Sequence, residues 1–170
     1  MDQMTILFST SALIVSLISL LITIWLWRES HRPIVTARIR THKGGNLAIL
    51  YVLELVNSGS RPARNVRLHA NHTDILNALL PEASSQPDYV LELRSVKRCF
   101  EQRATVSVLL NGESITNAFG FTSIESPFWR PGAIIPVVIS YEGVGGALYR
   151  SVVALKIDDT AGFAGTFYDD

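Results

Sequence analysis

The chain has 170 residues, 48% hydrophobic and 18% charged, and its 15 Lys and Arg balance 15 Asp and Glu. That balance argues against a dedicated nucleic-acid binder, which carries a strongly basic domain or stripe. A single cysteine, Cys99, excludes an intrachain disulfide, and the length suits one domain with its own core plus an anchor.

Residues 1–5 form a short N-terminal tail without Lys or Arg. Residues 6–27 carry no charge. As a helix they span roughly 33 Å at about 1.5 Å per residue, enough to cross a hydrocarbon core of about 30 Å. A cleavable signal needs a basic start, a shorter apolar middle and small residues at the cut. This stretch instead ends Trp25-Leu26-Trp27-Arg28. The expectation is a retained transmembrane helix, with Trp25 and Trp27 in the interfacial belt and Arg28 and Arg32 as anchors at the membrane surface. Residues 28–33 then form a basic juxtamembrane linker, and Pro33 forces the chain out of helix. Basic residues flank the span on one side only, at Arg28, Arg32, Arg38, Arg40 and Lys43. The positive-inside rule therefore predicts the N-terminus outside and the C-terminal domain in the cytoplasm. The same basic stretch serves as a topology signal or rests on anionic lipid heads.

Within the span, Thr5, Ser9, Ala12, Ser16, Ser19 and Thr23 recur at alternating steps of four and three. Such a seam of small residues suits close helix–helix association, as a homodimer or with a partner's span. The alternative is that each hydroxyl bonds its own i−4 carbonyl.

Beyond Pro33 the dominant period is two, the signature of strands with one face in a core. Val35, Ala37 and Ile39 alternate with polar residues, and Gly44-Gly45-Asn46 signals a hairpin turn. Residues 47–56 are apolar on both faces with Glu54 as the interruption, which predicts a strand buried on both sides or central in a sandwich. A breaker cluster at residues 57–62 precedes a strand through Val66, Leu68 and Ala70. Ile75, Leu76, Leu79 and Leu80 suggest a turn or two of helix before a loop at residues 81–88. Further strands are expected through Tyr89, Leu91 and Leu93; through Ala104, Val106, Val108 and Leu110; over residues 114–121; through Ile135, Val137, Ile139 and Tyr141; and from Ala147 to Ile157. The result is an all-β domain over residues 34–158, an antiparallel sandwich of about seven or eight strands. A loosely ordered tail is expected over residues 159–170.

No catalytic, cofactor or metal constellation stands out. His69 and His72, three apart on an expected strand, should face opposite ways. Gly143-Val144-Gly145-Gly146 reads as a hairpin turn rather than a phosphate cradle. The basic group Arg94, Lys97, Arg98 and Arg103 is either a patch near Cys99 or an ordinary charged face shared with Glu92 and Glu101. Phe128, Trp129 and Arg130 join two aromatics to an arginine in a loop, the composition of interface hot spots. They are a candidate partner contact, or else a plug for the end of the sandwich.

Two stretches carry a resemblance. Residues 53–68, with Asn57-Ser58-Gly59 followed by Ala63-Arg64-Asn65-Val66, and residues 137–150, with Ser140-Tyr141-Glu142 before Tyr149, resemble bacterial Ig-like modules of the CARDB type. A span placed directly before one such domain is similar to bacterial single-span membrane proteins. The resemblance implies an Ig-like fold and a scaffolding or binding habit, not a reaction. The expected protein is therefore a non-enzymatic interaction or scaffold subunit in the bacterial inner membrane. Its expected partners are membrane lipid and a protein partner or second copy, with no nucleic acid and no cofactor. The alternative is an extracytoplasmic envelope-binding, adhesion-type or carbohydrate-binding module with inverted topology.

Overall fold

The computed structural model describes residues 3–44, 48–123 and 125–158. The expected tail at residues 159–170, and Gly45 and Asn46 of the expected turn, lie outside these residues. The chain divides into two compact units, Met1–Arg32 and Pro33–Asp170.

The first unit is one helix, α1 (Gln3–Ser30). Its stretch Phe8–Arg28 is long and apolar enough to cross a membrane; a signal sequence has the same length and composition. The described apolar side chains are uncovered, from Phe8 through Trp27. The helix ends where His31 folds back, its backbone N–H donating to the Trp27 carbonyl and its ring stacking on the Trp27 indole at 4.9 Å.

The second unit is mostly β. Its strands are β1 (Val35–Gly44), β2 (Ala48–Asn57), β3 (Ala63–Ala70), β4 (Val106–Leu109), β5 (Ser114–Ser123), β6 (Ile134–Gly143) and β7 (Leu148–Lys156). They form two antiparallel sheets, ordered β1-β2-β5 and β4-β3-β6-β7. The register follows the alternation in sequence. Tyr51, Leu53 and Leu55 from one sheet and Ile135, Val137 and Ile139 from the other are all buried in one continuous core. β2 is central in its sheet, as its long apolar run implies.

The connection from β3 to β4 departs from the all-strand expectation. It holds α2 (His72–Asn77), a 3-10 turn (Pro81–Ser85) and α3 (Tyr89–Arg98). The strand expected through Tyr89, Leu91 and Leu93 is therefore helical. Spacing over the longer stretch explains the correction. Tyr89, Leu93, Val96 and Phe100 repeat at three to four residues and turn inward, while Val90 and Leu91 are exposed. Glu92 in the first turn and Lys97 and Arg98 in the last also favour the helix dipole. α3 packs against β5. The strand expected at residues 114–121 is longer, reaching Ser123 through an irregularity opposite Tyr51 and Val52.

Two local features hold the fold. Gly120 sits at φ +111°, and a Cβ there would lie 3.2 Å from Trp129 Nε1 and 3.3 Å from Glu92 Oε2. Only glycine combines that backbone with that approach. The buried Asn57 closes β2. Its Oδ1 accepts from the backbone N–H groups of Ile34 and Gly59, and its Nδ2 donates to the carbonyls of Arg61 and Leu109.

Candidate functional site

The sequence-named contact residues divide between core and surface. Phe128 and Trp129 are each 1% exposed. Trp129 stacks on Phe119 at 5.1 Å and meets Phe128 edge-on at 5.2 Å. Their backbone N–H groups donate to Thr122 Oγ1, and the Arg130 N–H to the Ala78 carbonyl. They plug the core and offer no partner contact in the folded domain, because two aromatic rings cannot serve the interior and a surface together. Arg130 alone is exposed.

On α1 the seam residues from Ser9 to Thr23 are exposed, as are Trp25, Trp27, Arg28 and Arg32; nothing is described of the Thr5 side chain. Ser19 and Thr23 donate to the carbonyls of Val15 and Ser19, at 2.9 Å and 2.8 Å. Their hydroxyl protons are therefore used within the helix.

Cys99 is buried behind α3. Its Sγ lies 3.7 Å from the carbonyl oxygens of both Ser95 and Ala118, either of which can take its single proton, and Asn117 Nδ2 donates to Sγ at 3.4 Å. Burial pushes the thiol up to about 11, which leaves roughly one thiol in a thousand ionised at pH 8, and the thiolate is the reactive form. Alkylation of the native protein at pH 8 is expected to be at least about a hundredfold slower than in denaturant. Mass-spectrometric counting of adducts checks this, and equal rates would contradict it. A neighbouring cleft of about 210 Å³, lined by Leu53, Leu55, Leu68, Cys99, Ile115 and Asn117 among others, is smaller than the about 300–1,000 Å³ of ordinary small-molecule pockets. Among the described residues no group of three or more His, Cys, Asp and Glu could hold a metal ion. His69 stands on β3, while His72 opens α2.

Glu54, the polar interruption in β2, points to the outer face of the three-stranded sheet. Arg38 Nε and Arg40 Nη1 from β1 donate to its carboxylate and cover it. The Arg38 hydrogen bond holds the carboxyl below its ordinary value against the opposing cost of burial. Both arginines are more than half exposed, so water screens the cluster. Glu92 is shifted the other way. Burial and the nearby Asp88 carboxylate raise it, opposed by a hydrogen bond from the Phe121 backbone.

The outer face of the four-stranded sheet is the surface that sequence reading missed. Core positions on β6 and β7 alternate with Ile134, Pro136 and Val138 on one strand and Val152 and Ala154 on the other. Leu148 is 80% exposed, Val152 72% and Ile134 58%. Arg64, Arg67, Arg150 and Lys156 share this face, with Ser140 and Arg150 standing between Leu148 and the other apolar residues; Glu142 is the sole carboxylate among the outward positions of these strands, and Asp158 just beyond β7 pairs with Lys156 at 2.7 Å. Asn65 (φ 51°) marks a bulge in β3 beside them. A shallow groove of about 150 Å³ lies at the bulge, lined by Asn65, Arg67, Ser140, Tyr141, Glu142 and Leu148. In and beside it Asn65 Nδ2 donates to Glu142 Oε2 at 3.1 Å, His69 Nε2 lies 3.2 Å from Ser140 Oγ, and Arg67 Nε donates to Thr105 Oγ1 at 3.2 Å. The signal was present in sequence: on β6 and β7 the outward positions, which water ordinarily makes polar, are apolar or basic.

These features define a class: one apolar helix followed by a mostly β, two-sheet domain with an exposed basic and apolar sheet face. The chain belongs to the family described as Domain of unknown function (DUF8453), whose model matches residues 4–161, taking in nearly all of the helix and both sheets. Neither a search of curated proteins nor a search of solved structures found a match.

Proposed function

We propose that this is a single-span bacterial inner-membrane protein whose cytoplasmic Ig-like domain serves as a non-enzymatic interaction or scaffold module. The observation that carries the reading is the pairing of an uncovered apolar helix with an exposed apolar and basic sheet face on the domain behind it. A helix that leaves its apolar side chains to the surroundings needs lipid, and a contiguous apolar strip on a folded domain marks a contact surface. Strand order supports the Ig-like assignment. β1-β2-β5 and β3-β6-β7 follow the arrangement of the Ig constant sandwich, with β4 joined to the second group instead of the first. Basic residues confined to the C-terminal flank of the helix support the orientation.

Carbonate extraction combined with C-terminal reporter fusions tests this. The protein is expected to stay in the membrane pellet, to fluoresce with a reporter that folds only in the cytoplasm, and to give no alkaline phosphatase activity. Release by carbonate would overturn the anchor. Active phosphatase would overturn the orientation and favour an extracytoplasmic envelope-binding module.

A further inference from the structure

We infer that the outer face of the four-stranded sheet docks on an anionic bilayer surface. Leu148, Val152 and Ile134 enter the headgroup boundary, and Arg67 and Arg150 lie on lipid phosphates. The inference rests on the membrane-anchored reading above and adds what the domain touches. Three observations point to this occupant. The face combines exposed aliphatic side chains with Arg64, Arg67 and Arg150, and with a Lys156 that pairs with Asp158 at 2.7 Å, against the Glu142 carboxylate that Asn65 already binds. Apolar insertion with a basic surround is the chemistry that holds a peripheral surface to anionic lipid. The groove at the Asn65 bulge sets the Arg67 guanidinium and the Ser140 hydroxyl side by side as donors of a size to meet one phosphate.

Chain length supplies the third observation. α1 ends at Ser30 and β1 starts at Val35. The residues between can extend only about 3.5 Å each, so with the helix inserted the domain starts within roughly 15–20 Å of the lipid. Such a tether holds the face at an effective concentration of order millimolar, so even weak intrinsic lipid affinity is enough to populate the docked state. A second copy of the chain fits the same face poorly. An isologous contact would set this predominantly basic face against a second copy of itself, with too few carboxylates among the outward positions to neutralise the arginines, and like charges facing each other repel.

The test uses the full chain in lipid nanodiscs, phosphatidylcholine alone or doped with phosphatidylglycerol. A polarity-sensitive maleimide dye is placed at Val152→Cys, with a control at Thr36→Cys on the outer face of the other sheet; unsubstituted chain, with only the buried Cys99, is the labelling blank. The dye at position 152 is expected to shift to the blue and be quenched by lipid-borne quenchers in anionic discs, and the dye at position 36 to do neither. Arg67→Gln and Arg150→Gln are each expected to lower the docked-to-undocked ratio about fivefold. Salt near 1 M, with a screening length of about 3 Å, should remove most of the effect. Equal behaviour at positions 152 and 36, an equal blue shift and quenching in neutral discs, or a shift at position 152 that requires two chains per disc or the addition of a second protein would each overturn the inference. Failure to insert into either disc would sink the anchored reading as well, whereas insertion without a blue shift or lipid quenching at position 152 sinks docking alone.

Discussion

Trp129→Ala is expected to destabilise the β domain by about 3–5 kcal/mol, the range for truncating a fully buried tryptophan. Domains of this kind are typically stable by only about 5–15 kcal/mol, so much of the population would unfold on mild heating. The indole has no surface to relax into. Phe119 stacks flat on it, Phe128 meets its edge at right angles, and Tyr51 contributes a third ring 6.3 Å away. These partners come from β2, β5 and the loop before β6, so the cavity would open where both sheets and the α2–α3 connection converge. Trp129→Phe separates packing from polarity. It keeps a ring against Phe119 and removes the Nε1 proton, which has no acceptor in the buried site. The phenylalanine variant is therefore expected to lose less than half as much as alanine. Urea unfolding of the full chain in detergent, followed by far-ultraviolet circular dichroism, measures both; a loss under about 1 kcal/mol for alanine would contradict the packing described.

How much of this was legible in sequence depends on which period each segment keeps. β1, β3, β6 and β7 could be read because their inward residues alternate, β2 because its run is apolar on both faces, and their ends because Asn57-Ser58-Gly59 and the glycines after Tyr141 mark them. α3 could not, because Tyr89, Leu91 and Leu93 fit a period of two over five residues; only the further match at Val96 and Phe100 separates the periods. Composition alone could not place Phe128 and Trp129. Two aromatics beside an arginine look the same on a surface or in a core until Thr122, Ala78 and Gly120 are seen to hold them inward. Glu54 shows the converse. A charge inside an apolar run looked like an interruption, yet it sits on the outer face where β1 sets two arginines beside it. The basic and apolar sheet face does not show in the inward positions that define the strands, because a contact surface shows itself in what stands at the outward ones.

Asn57→Ala is expected to cost about 3 kcal/mol or more, although it removes only a few atoms. The side chain is fully buried and uses its full complement of hydrogen bonds, accepting two and donating two. Its partners are backbone groups of Ile34 at the approach to β1, of Gly59 and Arg61 in the crossover between the sheets, and of Leu109 at the end of β4. Alanine removes the partner of all four groups; the bonds to the Gly59 N–H and the Leu109 carbonyl are buried, and each buried unsatisfied group costs about 1–3 kcal/mol. Asn57→Asp sharpens the test. An aspartate can still accept from Ile34 and Gly59 but brings a charge against the Arg61 and Leu109 carbonyl oxygens, where the amide donated. Its loss is expected to match or exceed that of alanine at neutral pH. Part should return on acidification, when the protonated carboxyl can donate one of the missing bonds. Unfolding measured against pH for the three chains would show this as an aspartate-specific gain at low pH. Identical pH profiles for the alanine and aspartate variants would mean that Asn57 acts through shape rather than through its four bonds. The position matters beyond stability, because Ile34 is where the domain begins after α1. Loosening the Asn57 clamp frees the first residues of β1, lengthens the tether, and is expected to weaken any contact that depends on holding the domain close to its anchor.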